Sequence, residues 1–307
     1  MRFSVYQETH TGGRRNNQDR MGYCYTRDAL LLLLADGMGG HLQGEVAATI
    51  AMQSISARFQ RDAQPIITNP QHFLESILCA AHFEIHRYRA QNYLPETPRT
   101  TIVACLVQHD SAFWAHSGDS RLYWLRDGKV LARTRDHSRI ETLIAQGKVN
   151  ASERSTHPDR NKLFNCLGGP NLPVVEIGAR AGLQTGDVLL LCSDGLWSMI
   201  PEQVLAESLC GSRAIMQSIP DLMRTALHMA GQNSDNVTAL GLVWESEAAA
   251  HGVSTAILPP GAVTTTIQPS PHADLDPPDA FTETDMENAV EEIRSAIGSS
   301  HRPTSKE

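Results

Sequence analysis

The chain predicts an α+β fold, an antiparallel sheet core with helices packed outside it, and three observations carry that prediction. Apolar runs of strand length dominate residues 1–35, 100–133 and 174–192. Stretches of helical periodicity follow the first and the third of these groups, two each time. A closing run at 237–244 returns to strand character. Strands, helices, strands, helices and a last strand is the order of segregated elements rather than of an alternating parallel sheet.

Taken in order, residues 3–6, 21–26 and 29–35 read as strands, with Asp28 turning the chain between the last two. Residues 41–61 read as a helix. Val46, Ile50, Met52, Ile55 and Phe59 recur at spacings near three and four, and Ala47, Ala48 and Ala51 are strong helix formers. Pro65 and Asn69-Pro70 break the chain before a second helix at 71–91, which keeps Phe73, Ile77, Leu78, Ala81 and Ile85 on one face. Strands are expected at 100–107, 111–116, 121–126 and 129–133, the last pair joined by the hairpin signal Asp127-Gly128. Residues 138–147 read as a helix and 148–169 as a polar, irregular loop. Strands return at 174–177 and 188–192, helices follow Pro201 and span 213–231, and 237–244 closes the body.

Composition narrows the function. The chain has 307 residues, long enough for one large core or two smaller ones, with 41% hydrophobic and 20% charged residues. Ten acidic and three basic residues in 246–307 account for -7 of the net charge of -8, so the body is near neutral. A near-neutral body lacks the basic surface that non-specific nucleic-acid binding needs. The longest apolar run, 29–35, is far short of the ~20 residues that span a bilayer, and residues 1–5 lead into polar sequence rather than a leader-like apolar stretch. The six cysteines are dispersed, with no C-x-x-C pair, which fits reduced, buried thiols. The expectation is a cytoplasmic protein that binds neither nucleic acid nor membrane. Beyond Trp244 the composition changes: 255–278 is rich in Pro, Thr and Ala, the profile of a disordered linker. Met286, Val290, Ile293 and Ile297 then repeat at helical spacing. The expected division is a domain at 1–245 and a largely disordered acidic tail at 246–307, with a short helix near 283–297.

Acidic residues at strand ends carry the chemistry. Asp36 follows the leucine run, Asp194 follows Val188-Leu189-Leu190-Leu191-Cys192-Ser193, Asp119 comes just after Ala112-Phe113-Trp114-Ala115, and Asp235 just precedes Val237-Thr238-Ala239-Leu240. Singly these are ordinary. Asp36-Gly37 reads as a turn, Gly118-Asp119-Ser120-Arg121 as a turn with an Asp–Arg pair, and Ser193-Asp194 as a cap for the following turn. Together they place an Asp at the same end of four strands and point to one acidic cluster, which is costly unless cations neutralise it. Oxygen donors without paired His or Cys favour Mg²⁺ or Mn²⁺ over Zn²⁺.

The order of these stretches resembles the metal-dependent protein phosphatases of type 2C, in their bacterial form. The residues that carry the resemblance are Arg14-x-x-Asn17-x-Asp19, Asp36-Gly37-Met38-Gly39-Gly40-His41, Gly118-Asp119-Ser120-Arg121, Asp136-His137-Ser138, Ser193-Asp194-Gly195-Leu196-Trp197 and Asp235-Asn236-Val237-Thr238. It covers about residues 3–245 and implies a four-layer α/β/β/α sandwich, a central antiparallel β-sandwich flanked by helix pairs. It implies that Asp36 bridges two Mn²⁺ or Mg²⁺ ions, with the Gly37 carbonyl on one of them. Asp19 acts there through bound water, Asp194 and Asp235 complete the pair, and Asp119 with Asp194 holds a weaker third ion. Arg14 matches the phosphate-binding arginine, whose planar fork suits phosphoryl oxygens. The implied reaction is hydrolysis of phosphoserine or phosphothreonine by a water activated between the two ions, without a phosphoenzyme.

Several positions depart from the family pattern. Gln18 stands where some members carry Glu, Met38 where eukaryotic members offer a His, and Ser198 where an Asp supports the third ion. Residues 148–165 correspond to the family's flap, in which His157-Pro158 and Arg160-Asn161 face either substrate or solvent. Cys192 lacks a Cys-x5-Arg phosphate loop and is not expected to be a nucleophile. His82 and His86 are four apart on a helix without a third zinc ligand at a recognisable spacing, and His41 and His137 read as structural. The implied partners are phosphorylated proteins, a cognate Ser/Thr kinase and its targets. The alternatives are a non-catalytic phosphoprotein-binding relative and a phosphoesterase acting on small molecules.

Overall fold

The five leucines from Leu30 to Leu34 form the middle of one strand, β3 (Ala29–Asp36), whose two faces enter two different cores. Side chains alternate across a strand. Leu31, Leu33 and Ala35 meet the helices α1 (Gly44–Asp62) and α2 (Pro70–Gln91), whereas Leu30, Leu32 and Leu34 face a second sheet. Each of these leucines is fully buried, which stabilises the fold by roughly 1.5–3 kcal/mol per side chain. The computed structural model describes residues 1–38, 43–245 and 264–267.

The first sheet runs β12 (Thr264–Ile267), β2 (Asp19–Tyr25), β3, β4 (Ile102–Gln108), β5 (Ser111–Ser117) and β8 (Glu176–Ile177), with β9 (Ala181–Gly182) also on β5. The second runs β1 (Arg2–His10), β11 (Val237–Glu245), β10 (Val188–Cys192), β6 (Arg121–Arg126) and β7 (Lys129–Arg133). All neighbouring strands pair antiparallel. Leu189, Leu191, Leu240, Leu242 and Trp244 fill the space between the sheets against Leu30, Leu32 and Val103. The outer face of the second sheet packs Tyr123, Leu190 and Ala239 against α4 (Asp194–Trp197), α5 (Glu202–Leu209) and α6 (Ile215–Ala230). Helices, sheet, sheet, helices is the four-layer α+β sandwich that the sequence implied.

Most boundaries follow local signals. Pro70 sits in the first turn of α2 and the Asn69 side chain accepts from the His72 N–H. Ser138 caps the helix α3 (Arg139–Ala145) by accepting from the Glu141 N–H. The expected strand at 174–177 shortens to β8, because the Asn165 side-chain amide takes both the N–H and the C=O of Val174. Residues 151–156 form a 3-10 turn, and Asp194 opens α4, neither of which periodicity can show over so few residues. In the tail, Thr264–Ile267 adds an edge strand to β2, a β-branched run within proline-rich surroundings. Gly39, Gly40 and His41, and the helix expected near 283–297, lie outside the described residues.

One backbone position fixes where β5 hands over to the acidic turn. Gly118 has φ +119°, and a Cβ there would stand 2.6 Å from the Thr101 Cβ. Gly118→Ala is therefore expected to destabilise the protein by about 1–3 kcal/mol in urea unfolding; a variant as stable as the parent would contradict this packing.

Candidate metal centre

Five carboxylates from both sheets come together at one end of the sandwich. Asp36 ends β3 and Asp19 begins β2, and the two are directly opposed in the strand register. Asp194 opens α4 just after β10, Asp235 precedes β11, and Asp119 lies in the turn between β5 and β6. β10 is the central tie, since Cys192 opposes Ala239 on one side and Arg121 on the other. Across the two sheets, the Ser193 hydroxyl donates to Asp19 Oδ2 at 2.8 Å. The loop bearing Arg14 is pinned by the last motif: Gly13 N–H donates to Ser234 Oγ, Gln18 N–H donates to Asn236 Oδ1, and the Asn236 amide donates to the carbonyls of Thr11 and Asn16. Arg14 itself forks onto Asp235, Nε to Oδ1 at 2.8 Å and Nη2 to Oδ2 at 2.7 Å.

Gly37 is buried beneath this cluster, held by its N–H to the Gln18 carbonyl. A Cβ there would come 2.4 Å from the Gly44 carbonyl oxygen, so the start of α1 can approach only a glycine. The Asp36 carbonyl accepts from the Thr101 N–H and the Thr100 hydroxyl, which fixes the end of β3. All seven positions expected from the sequence, Arg14, Asp19, Asp36, Gly37, Asp119, Asp194 and Asp235, thus belong to one region. Arg14, Asp119, Asp194 and Asp235 line a cleft of about 710 Å³.

Electrostatics show what this region lacks. Burial, then the charges of Asp19, Asp194, Asp119 and Asp235, raises the Asp36 pKa well above the carboxylate range. Burial, then Asp119, Asp235 and Asp19, does the same to Asp194, and Arg14 offsets only part of it. Asp119 is pushed up to about 7, first by burial and then by Asp136, against the pull of Arg121. Burial also raises Asp19, although hydroxyls of Thr238 and Ser193 counteract it. Asp19 Oδ1 is buried and meets no hydrogen-bond donor. An orphaned carboxylate oxygen among mutually repelling carboxylates, with no thiol or imidazole among the described residues that line the cleft, is a donor set that fits hard divalent cations such as Mg²⁺ or Mn²⁺.

The histidine clusters have other work. His116, His137 and Glu176 offer ligand atoms within 4.8 Å of one another. His137 Nδ1, however, accepts from the Gly118 N–H at 3.2 Å and from the Asn165 amide at 2.6 Å. Its proton therefore sits on Nε2, which donates to Glu176 at 3.3 Å, and His116 Nε2 donates to the Arg135 carbonyl. Ligation there would have to break these bonds. His137 is the structural residue that the sequence suggested. His82 and His86 clamp the Gly168-Gly169 turn, His82 Nδ1 accepting from Gly168 N–H and His86 Nε2 donating to the Gly169 carbonyl.

Sequence reasoning missed three participants. Ser193, read as a helix cap, makes no capping bond and spends its hydroxyl on Asp19. Gln18, a departure from the family pattern, donates its amide to Glu45 at the start of α1. Asn236 was visible only as part of a motif, yet it holds the Arg14 loop.

This arrangement of sandwich and acidic strand ends defines the class. The chain matches the Protein phosphatase 2C family over residues 7–234 and belongs to it. It is 30% identical to the serine/threonine phosphatase stp of Listeria innocua over 229 residues, 74% of this chain and 90% of that protein. The crystal structure of serine/threonine phosphatase Stp1 from Staphylococcus aureus superposes with a TM-score of 0.72 at 29% identity, covering 80% of this chain and 96% of that one. The catalytic domain of the serine/threonine protein phosphatase PstP, solved with two manganese ions, superposes with a TM-score of 0.67 at 28% identity, covering 80% and 99%.

A carboxyl whose pKa is higher folded than unfolded favours folding below its ordinary value, near 4. That contribution is lost as pH rises through the folded value, which for Asp119 is about 7. His82, His86 and His137, whose pKa values burial lowers, act in the opposite sense below about pH 6.5. The repulsion is therefore read from parent against variant: in the cation-free protein Asp36→Asn is expected to gain about 2–6 °C of Tm over its parent as pH rises from about 5 to about 8. Scanning calorimetry in a chelator checks this; a variant no more stable than its parent at the upper end would contradict the repulsion.

Proposed function

We propose that the chain is a protein serine/threonine phosphatase that uses Mn²⁺ or Mg²⁺, with phosphorylated proteins as substrates and a cognate Ser/Thr kinase as its counterpart. The observation that carries this reading is the convergence of Asp19, Asp36, Asp119, Asp194 and Asp235 beside the Arg14 fork. Asp36, the Gly37 carbonyl, Asp194 and Asp235 would hold two cations, Asp19 would act through water, and Asp119 with Asp194 would hold a weaker third. Two such cations supply positive charge that lowers the pKa of a nearby water into the neutral range.

The chain's own residues supply orientation and charge. The Arg14 guanidinium, 56% exposed, lies at the cleft; Nε and Nη2 face Asp235, which leaves the Nη1 donors for phosphoryl oxygens. Its high pKa, raised by the hydrogen bonds and charge of Asp235, keeps it cationic. Among the described residues, no histidine or cysteine lines the cleft. Cys192 is fully buried and its thiol is pushed up by that burial, which removes it as a nucleophile. The six cysteines are free, and among the described residues no helix is long and apolar enough to cross a membrane, both in keeping with a cytoplasmic protein.

With added Mn²⁺ or Mg²⁺ the protein is expected to hydrolyse a phosphothreonine peptide, and Asp36→Asn or Asp194→Asn to lower kcat by at least about 100-fold. Full turnover in EDTA, or in these variants, would contradict the reading. Tight phosphopeptide binding without turnover by the cation-loaded parent would favour a non-catalytic relative. We further propose that 1–245 is the catalytic domain and 246–307 a regulatory or docking tail. Deleting 246–307, which also removes the edge strand Thr264–Ile267 from β2, is expected to leave turnover of an aryl phosphate within about twofold of the parent; loss of folding would move the boundary.

A further inference from the structure

The cleft beside the acidic centre has a second wall, contributed by the 148–165 loop. Ala151, Arg154, Arg160 and Asn161 stand there, across from Asp119, Asp194 and Asp235. A solvated loop of this length has few ways to keep a fixed place on the sheet. This one is tied at its far end by Arg139, whose Nε pairs with Asp159 at 2.9 Å and whose backbone N–H donates to the Lys162 carbonyl. At its near end it is tied by Arg154, in the 3-10 turn at Ala151–Thr156. Its Nη1 donates to Asp136 Oδ2 at 3.0 Å and its Nη2 donates to Glu141 on α3.

Asp136 is nearly inaccessible, with a side chain 1% exposed, and it already takes two bonds from Arg121, Nε at 2.7 Å and Nη2 at 2.8 Å. The Arg121 guanidinium lies 3.6 Å over the Trp197 ring. Trp197 closes α4, the helix that Asp194 opens, and its Nε1 donates to the Asp119 carbonyl at 3.0 Å. The loop is thereby tied, through two buried ionic groups and one indole, to the backbone of two acids of the centre. The surrounding charges are matched: Arg133 pairs with Glu202 and approaches Glu141, and Arg121 approaches Glu202. Arg154 directs both Nη1 and Nη2 into this network. Arg160, exposed on the same wall, has its side chain outside it.

We propose that Arg154 is a positioning residue that holds the 151–161 wall of the cleft in the place where a phosphoprotein segment is read. It acts through Asp136 and Glu141, and it does not touch the reacting atoms. The inference rests on the phosphatase reading for its substrate. It separates two quantities: a small aryl phosphate needs only the acidic centre and Arg14, whereas a peptide must also meet the loop wall. Removing Arg154 leaves Asp136 with both bonds from Arg121, so the sheet and the acidic centre remain in place.

The test compares the full chain with Arg154→Gln and Glu141→Gln, loaded with Mn²⁺, on an aryl phosphate and on a phosphothreonine peptide. Arg154→Gln is expected to raise KM for the peptide about tenfold while kcat for the aryl phosphate stays within about twofold. Amide hydrogen exchange, measured without substrate, should quicken about tenfold at 150–157 and stay unchanged in β3, β10 and β11. Glu141→Gln should reproduce both changes, and the double variant should add little to either single one. It also supplies the answer if Arg154→Gln does not fold. Unchanged exchange and KM, an equal loss of kcat on both substrates, or strictly additive variants would overturn the assignment. If the parent turns over neither substrate the phosphatase reading fails, and exchange at 150–157 then decides the loop anchor alone.

Discussion

Mutual repulsion among five carboxylates at one end of a β-sandwich is the constraint around which this protein is organised. Nothing among the described residues compensates them fully. Among the described residues, Arg14 is held by Asp235 at the exposed rim, and Arg121 acts on Asp119 through its charge. Asp36 and Asp194 are driven well above the ordinary carboxylate range by burial and by one another. Such a concentration of like charge is unfavourable to build, and it persists only because three apolar cores hold the strands that carry it.

The way those strands are joined explains why the acids are precise in position as well as close. Asp19 and Asp36 are fixed by strand register, the Ser193 hydroxyl reaches from the opposite sheet to Asp19, and Gly37 lets α1 close on the end of β3. On the far side, Arg121 and Trp197 brace the turns of Asp119 and Asp194, and Arg154 extends the same bracing to the loop wall. Backbone and buried polar groups meet at the acidic end in many independent bonds. The electrostatic cost becomes useful when cations are present, since the same oxygens that repel one another are already placed to accept a divalent charge.

Much of this was legible in the residues. The alternating faces of Leu30 to Leu34, the helical spacing from Val46 to Phe59 and the aspartates at strand ends are local patterns, and local patterns survive in one dimension. What was not legible depends on partners distant in the chain. Ser193 looked like a cap because its bond to Asp19 spans 174 positions. Val174 looked like a strand residue because nothing local reveals that Asn165 takes its backbone. Arg154 is one basic residue in a polar loop until Asp136 and Glu141 are seen around it. Thr264–Ile267 was hidden by the prolines on either side, which set the composition of the segment more strongly than its four β-branched residues.

Anomalous X-ray scattering from crystals grown with Mn²⁺ tests the central claim most directly. The account predicts strong manganese peaks among Asp36, Asp194 and Asp235, with Asp19 near by and any weaker peak beside Asp119. Manganese held at His116, His137 and Glu176 instead, with the acidic end left bare, would contradict it.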